Sequence, residues 1–508
     1  MLGKQKFLTH QGSSRTSKNL KQEWLIALTL FLLSVFIRLP FYFVGTINWD
    51  ESTVILVAQS LLDGHLPYTE LWDIKPPLIF VAYALFILIF GKGIIPIRFA
   101  GSVCVFLSSW FVYKIGDRIA SRGAGILAAI LTIIATATFT ADAQTTLSEH
   151  VALVPLFAGL ALIITQGKAT KNLGWGGALF TVATMIRLNL AYTVVAIGFW
   201  LLYECLQTKK VSLQGIFAYC LGSLGVILCT YLPYLITGNG SIWWNSVILA
   251  PLSYSSSEVQ LDRLWQVCLA FAVLVGLWRL FKFECRWQFI LLQVACLGTI
   301  ISIIQGGEFH YHYFIQIFPF LALSFALFWA KLPKRILRLI AIAWLVFKLW
   351  GYVVPVSQRY AKLGERLLSG TELRSGDTYR VAKYLRLHNP ENKPVYLMKH
   401  HIVYWLNDLQ PLSKSATHPS NLAKDYLFPY IEGSSSSSVA ELTRILAQQP
   451  EFIVKRDPLS FVDENPEIES LLAQTLAAKY QLVEEIRHKG IKQITQIYKM
   501  RSPVNDDR

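Results

Sequence analysis

Charge is scarce in this chain, and acids are scarcer than bases. Asp, Glu, Lys and Arg make up 16% of the 508 residues, with 47 basic side chains against 32 acidic ones. Together with 54% hydrophobic residues and a mean hydropathy of +0.43, this excludes an ordinary soluble globule. Cysteine is confined to seven positions (104, 205, 220, 229, 268, 285 and 296), all in or beside apolar runs. None forms a Cys-x-x-Cys pair, so they are small core residues rather than metal or redox motifs, and they are silent on redox compartment. The final 150 or so residues have no cysteine, no Gly-rich phosphate loop and no nucleophile elbow, which argues against catalysis housed in that segment alone. A basic face on a soluble segment is also missing, so the net charge of +15 does not point to nucleic acid. No small-residue cleavage site follows the first apolar run, which is expected to be a retained helix with the basic residues 1–23 in the cytoplasm.

What the chain does have is a series of long apolar runs from Trp24 to Val356. A membrane crossing takes about 20 apolar residues over roughly 30 Å of hydrocarbon. Runs near that scale lie at 24–44, 97–117, 123–140, 148–166, 172–187, 189–206, 213–236, 263–281, 287–305, 311–330 and 334–355. The run Pro76–Phe90 is shorter and opens on Lys75-Pro76-Pro77. If it crosses, Lys114, Arg118 and Arg122 fall outside. If it only dips into the outer leaflet, those three become cytoplasmic, together with Lys168/Lys171, Lys209/Lys210, Lys282/Arg286 and Lys331/Lys334/Arg335/Arg338. The preference of Lys and Arg for cytoplasmic loops selects the second threading. The predicted architecture is a polytopic α-helical membrane protein of about eleven spans plus juxtamembrane helices, with a small C-terminal α/β domain. Its parts are a cytoplasmic 1–23, a membrane domain 24–356 with a first external loop at 45–96, and an external domain 357–508.

This threading sorts the ionisable loop residues. Asp50, Glu51, Asp63, Asp73, Lys75, Asp142, Glu149, Arg187, Glu308, His310 and His312 all reach the external face, from loops far apart in the chain. Charges held at a bilayer are costly and mark function, so one composite site is expected there. Glu51–Gly64 has the pattern of an amphipathic helix, with Asp50 or Asn48 as its cap and Gly64 as its stop. His310, Tyr311, His312 and Tyr313 alternate near Glu308: either metal ligands, with Glu51 or Asp142 completing the set, or a membrane-belt feature. The stretch 238–262, with Trp243, Trp244 and Tyr254, is expected to be a juxtamembrane loop whose aromatics anchor at the interface. In the tail, helices are expected at Asp377–His388 and Val439–Gln448, strands at Val395–Met398 and Phe452–Val454, and a hairpin of Gln481–Ile486 with Lys492–Tyr498. The serine run 434–438 is expected to be a loop.

Several residues together resemble the GT-C superfamily of membrane glycosyltransferases, specifically the bacterial protein O-mannosyltransferase and aminoarabinose transferase relatives. They are Asp50-Glu51 after the first helix, Gly64-x-x-Pro67-Tyr68, Asp73-x-Lys75-Pro76-Pro77-Leu78, the acidic loop around Asp142 and Glu149, and His312-Tyr313 with Pro319. The resemblance covers about 24–330 and the tail only loosely; Val54 and Ile55 stand where members often carry Tyr or Arg. It implies an inverting enzyme that moves a sugar from a polyprenyl-phosphate carrier to an acceptor hydroxyl (glycan, lipid or protein) on the external face of the inner, or plasma, membrane. Asp50 matches the first acid of the family and is expected to be the base, which is worth roughly 10²–10⁴ in rate. Glu51 is paired with it as catalytic, or else holds the loop or a divalent cation. The resemblance implies that Lys75 meets the carrier phosphate, that His312 and Tyr313 line the same pocket, and that Asp142 or Glu149 supports the acceptor. Arg187 could add a second phosphate contact through its planar fork. A transporter or flippase of lipid-linked saccharides is the competing reading; it is disfavoured because no internal repeat is visible and the charges gather at one face.

Overall fold

In the computed structural model the described residues are 5–255, 286–305, 311–332, 335–418, 421–422, 424–433, 436–457, 465–487 and 493–501. The membrane half is built from α1 (Gln5–Arg38), α2 (Trp49–Leu62), α3 (Pro77–Phe90), α4 (Ile94–Ile119), α5 (Arg122–Thr138), α6 (Ser148–Gln166), α7 (Thr170–Ile186), α8 (Ala191–Leu206), α9 (Leu213–Ile236), α10 (Arg286–Gln305), α11 (Phe318–Lys331) and α12 (Arg335–Leu368). Six helical stretches among the described residues are long and apolar enough to cross a membrane: Leu20–Phe41, Ile94–Ile119, Ser148–Gln166, Leu188–Leu206, Leu213–Ile236 and Trp287–Gln305. The expected eleven is therefore not reached among the described residues. The helices at Arg122–Thr138 and Phe318–Lys331 are apolar but shorter, and the expected span 263–281 lies outside the described residues.

Side-chain contacts fix which helix ends lie together. Lys114 Nζ is 2.7 Å from Glu23 Oε2 and Arg122 Nη2 is 3.6 Å from Glu23 Oε1, joining the α4–α5 turn to the start of the apolar stretch of α1. Lys168 Nζ pairs with Glu204 Oε2 at 2.6 Å and lies 4.9 Å from the Trp287 ring. These basic loops thus occupy one end of the bundle. The other end of α1 carries Arg38, fully buried, whose guanidinium donates to the Ala143 and Thr145 carbonyls and to Ser102 Oγ. The short helix α3 starts and finishes at this second end: Lys75, two residues before it, pairs with Asp50, and Lys92, two residues after it, bonds Asp408 of the tail. Its 14 residues span about 21 Å, short of the hydrocarbon thickness.

The expected amphipathic helix is instead α2, buried on nearly every side from Glu51 to Ala58. Its polar face is covered by the tail, so the period-3.6 pattern marks a buried seam rather than a lipid face. Asn48 is its cap, with Oδ1 accepting from the Asp50 backbone N–H at 2.8 Å, which leaves the Asp50 carboxylate free of that duty. Gly64, at φ +100°, turns the chain away after the helix, as expected. The segment 240–255, expected as a loop, is a run of short helical turns with Trp243 buried and Trp244 exposed.

The tail comprises α13 (Asp377–His388), β1 (Val395–Leu397), α14 (Ile402–Leu406), α15 (Ser438–Ala447), β2 (Phe452–Asp457), α16 (Pro466–Lys479), β3 (Tyr480–Arg487) and β4 (Ile494–Met500). The sheet order is β1-β2-β4-β3, with β1 parallel to β2 and the other pairs antiparallel. The expected strands and hairpin pairing are present; the expected turn at Lys489-Gly490 and part of the serine run lie outside the described residues. The expected boundary at 357 falls inside α12, which continues to Leu368. The tail docks through backbone as well as side chains. Gly45 N–H donates to Ser375 O at 2.7 Å and Ser375 N–H to Phe43 O at 2.8 Å. A Cβ at Gly45 would sit 2.9 Å from Thr378 Cβ, so this close approach requires glycine.

Candidate active site

The first turn of α2 and the loop before α3 put Asp50, Asp73 and Lys75 together. Lys75 Nζ lies 3.0 Å from Asp73 Oδ2 and 3.5 Å from Asp50 Oδ2, so one ammonium is shared by two carboxylates. Pro76 and Pro77 fix the backbone beyond it, and Tyr68 Oη donates to the Lys75 carbonyl at 2.7 Å. Asp73 is buried, whereas a quarter of the Asp50 side chain remains exposed. Burial by itself would raise the Asp50 pKa, but Lys75 and a hydrogen bond with His418 outweigh it and hold the carboxyl well below its ordinary range. Burial opposes the Lys75 charge too, and Asp50 and Asp73 overcome it and hold the ammonium above its usual range.

His418 comes from the tail: its Nε2 is 3.0 Å from Asp50 Oδ1, and its ring lies 5.5 Å from that of Trp49. Nothing in the sequence pointed to it, because it stands apart from any other histidine or acid in a Ser-rich stretch. The tail, in which no catalysis of its own is expected, thus reaches the central carboxylate.

Glu51 sits one residue from Asp50 in a different environment. It is 4% exposed. Arg98 Nη2 lies 2.9 Å from Glu51 Oε2, and Thr146 N–H donates to Oε1 at 2.8 Å. Arg98, fully buried, also donates to the carbonyls of Phe41, Val44 and Gly45. Glu51 thus clamps the α1–α2 loop, the loop-holding alternative for this residue. Arg98 could have been found from the sequence, since an arginine in an apolar run is a flag in its own right. Among the described residues, no three His, Cys, Asp or Glu side chains gather to hold a metal ion. His310 and Glu308, part of the alternating motif, lie outside the described residues.

A second cluster comes from α6, the end of α7 and the turn before α11. Glu149, 1% exposed, lies 3.1 Å from Arg187 Nη2 and 3.7 Å from His312 Nε2. Arg187 donates to Ser148 Oγ at 2.9 Å and its guanidinium carbon is 4.5 Å from the centre of the Tyr313 ring. Arg187 Nε is buried without a hydrogen-bond partner. The structure thus brings Glu149, Arg187, His312 and Tyr313 together. Lys75 and Arg187 meet on one cavity of about 350 Å³, lined otherwise by Pro76, Leu188, Tyr192, Leu252, Tyr313 and other mainly apolar residues. Tyr192 and Leu252 are largely exposed on the outer surface of the bundle, so the cavity is a charged pair at the end of an apolar approach. Asp142 lines a separate cavity with Asn48 and Trp49.

The class defined so far is a bundle of apolar helices capped by an α/β tail, with Asp50, Asp73 and Lys75 clustered beneath the tail beside a largely apolar cavity. Residues 74–236 match the family described as dolichyl-phosphate-mannose-protein mannosyltransferase. Among solved structures, the chain is similar to ArnT from Cupriavidus metallidurans bound to undecaprenyl phosphate (TM-score 0.54, 13% identity, 95% of this chain and 98% of that one). It is also similar to the oligosaccharyltransferase AglB from Archaeoglobus fulgidus in complex with an inhibitory peptide and a dolichol-phosphate (TM-score 0.55, 10% identity, 91% and 72%). A further structure of the A. fulgidus enzyme, in the apo form, gives a TM-score of 0.53 at 10% identity, over 85% of this chain and 69% of that one. At these identities the likeness is one of fold. No curated protein sequence matches significantly. The resemblance to GT-C glycosyltransferases is thus borne out: the family match and these structural neighbours are glycosyltransferases of that superfamily.

Proposed function

We propose that the protein is an inverting glycosyltransferase that takes a sugar from a polyprenyl-phosphate carrier and delivers it to an acceptor hydroxyl on the external face of the plasma membrane. The observation that carries this reading is the position of Asp50, within 3.5 Å of a lysine that also lines a largely apolar cavity shared with Arg187. The carrier chain enters along the apolar wall, and its phosphate meets Lys75 and Arg187. The orphaned Arg187 Nε is a buried donor suited to a phosphate oxygen. The acceptor oxygen attacks the anomeric carbon, the bond from that carbon to the phosphate oxygen breaks, and its electron pair leaves with the carrier phosphate. Lys75 and Arg187 stabilise the charge growing there. The hydroxyl proton passes to Asp50. A carboxylate with a strongly depressed pKa is a poor base, but Lys75 is the foremost of the groups that depress it; as the ammonium turns toward the phosphate, Asp50 regains part of its basicity at the step that needs it. Glu149 and His312 fix Arg187, and Glu51 fixes the loop that carries Asp50.

Purified protein in lipid, given undecaprenyl-phosphate-linked radiolabelled sugars and a crude envelope extract, transfers label to the extract. Asp50→Asn lowers turnover about 10²–10⁴-fold while undecaprenyl-phosphate binding stays near that of the native chain. Undiminished turnover in Asp50→Asn would remove the base assignment, and no transfer by the native chain with any such donor would remove the activity.

A further inference from the structure

The cavity that holds Asp142 is built differently from the carrier cavity and shares no lining residue with it. It measures about 220 Å³, and its walls include Asn48, Trp49 and Asp142 from the membrane half and Lys399, His400 and Arg456 from the tail. Its basic residues are poorly neutralised. Lys399 Nζ stands 3.9 Å from the centre of the Trp49 ring and has no carboxylate within ion-pair distance among the described residues. Among the described residues the only carboxylate near Arg456 is Asp377, at 3.9 Å, and Arg456 Nε is buried without a hydrogen-bond partner. His400 is buried, its ring nitrogens held by Thr378 Oγ1 at 3.3 Å and Thr495 Oγ1 at 3.0 Å, so it adds shape rather than charge. Lys399 and Arg456 line the same cavity and repel each other, and an arriving anion relieves that repulsion. The position is also specific. Asn48 and Trp49 immediately precede Asp50, and the Trp49 ring lies 5.5 Å from that of His418, which bonds the Asp50 carboxylate. Each cavity thus has a residue next to Asp50 in its wall: Lys75, its ion-pair partner, in the first and Trp49, its chain neighbour, in the second.

We propose that this second cavity is the acceptor subsite and that it selects a saccharide bearing a phosphate or carboxylate group, bound by Lys399 and Arg456, with Asp142 accepting from its hydroxyls. The assignment of an acceptor rests on the glycosyltransferase reading above; the anion site itself does not. Its small volume suits a terminal charged sugar rather than an extended chain. Burial and the nearby Arg456 push the Lys399 pKa down to about 8. Anion affinity accordingly declines as pH rises past 8, where His400, held at about 3 by burial, does not titrate.

The test uses the full-length protein in phosphatidylcholine nanodiscs, titrated calorimetrically with glucose 6-phosphate and, separately, with glucose. Glucose 6-phosphate binds more tightly than glucose, and Lys399→Gln and Arg456→Gln each weaken it about 10- to 100-fold. Lys75→Ala leaves it unchanged, and undecaprenyl-phosphate binding survives in both tail variants. Equal affinity for the two sugars, or an affinity for glucose 6-phosphate indifferent to both tail variants, overturns the proposal. Should Lys399→Gln not fold, Lys399→Arg decides: retained preference for the phosphorylated sugar supports the proposal and lost preference overturns it. Nanodiscs containing phosphatidylglycerol separate a saccharide from a lipid headgroup, since abolition of glucose 6-phosphate binding there would give the cavity to lipid and overturn the saccharide assignment. If the native chain transfers no sugar while this binding pattern holds, the activity falls and the anion site stands.

Discussion

A single lysine serves two carboxylates in this protein, and that ratio shapes what substitutions there do. Lys75 holds Asp73 at 3.0 Å and Asp50 at 3.5 Å, and the buried Asp73 keeps it in place when Asp50 is engaged elsewhere. Lys75→Ala is expected to weaken undecaprenyl-phosphate binding at least tenfold, because a charge-assisted contact is lost and two acids are left facing the phosphate. Equilibrium binding in nanodiscs checks this, and unchanged affinity would discard the phosphate role. Glu51 and Arg98 call for the opposite readout. Both are almost fully buried, and the guanidinium also satisfies three carbonyls, so removing either partner strands a charge. Arg98→Ala should cost about 3–5 kcal/mol of stability. Thermal unfolding in detergent measures it, and a shift of only a degree or two would show that the clamp carries little.

Among the elements, α2 depends most on its neighbours. Its capping residue and its stop are local features, but its burial comes from the tail, through His401 Nε2 at 3.1 Å from Thr53 Oγ1 and Trp405 Nε1–H donating to Gln59 Oε1 at 3.0 Å. His400 and His401 are buried, and burial holds each pKa at about 3, below the ordinary 6.5. Between those values the unfolded chain binds protons that the folded one does not. The stability due to these two groups is therefore complete above pH 6.5 and is lost as pH falls toward 3, at up to about 1.4 kcal/mol per pH unit for each ring. Hydrogen exchange of the tail backbone at pH 7 and pH 5 should show faster opening at pH 5, and a His401→Gln variant should flatten the difference. Equal protection at both pH values would mean that the rings are charged or solvated in the folded protein.

Across the whole molecule, the basic loops and the acid-rich site occupy opposite ends. Glu23 with Lys114 and Arg122, and Lys168 with Glu204, mark one end; Asp50, Glu149 and the tail mark the other. If the basic end is cytoplasmic, as the distribution of Lys and Arg leads us to propose, a single cysteine replacing the exposed Glu70 should react with a membrane-impermeant maleimide in intact cells. One replacing the exposed Gln207 should react only after permeabilisation. The reverse pattern would invert the orientation proposed for the protein.

The sequence alone determined that the chain is a helical membrane protein with a small α/β tail, and that Asp50 and Lys75 belong near each other. Hydropathy, the distribution of Lys and Arg, and the two prolines after Lys75 are local signals that survive without a partner. It also supplied Arg187, His312 and Tyr313 for the carrier phosphate and an acid for the acceptor side, although it could not choose between Glu149 and Asp142. Tertiary structure made that separation, placing Glu149 beside Arg187 and Asp142 in the cavity of Lys399 and Arg456. Tertiary structure alone brought His418 to Asp50 across 368 residues, set Glu51 against Arg98, and turned the apparent amphipathic helix into a buried one. Contacts between distant segments leave no periodicity or spacing in a sequence, because they arise only when backbone docking, as between Gly45 and Ser375, has fixed which surfaces meet.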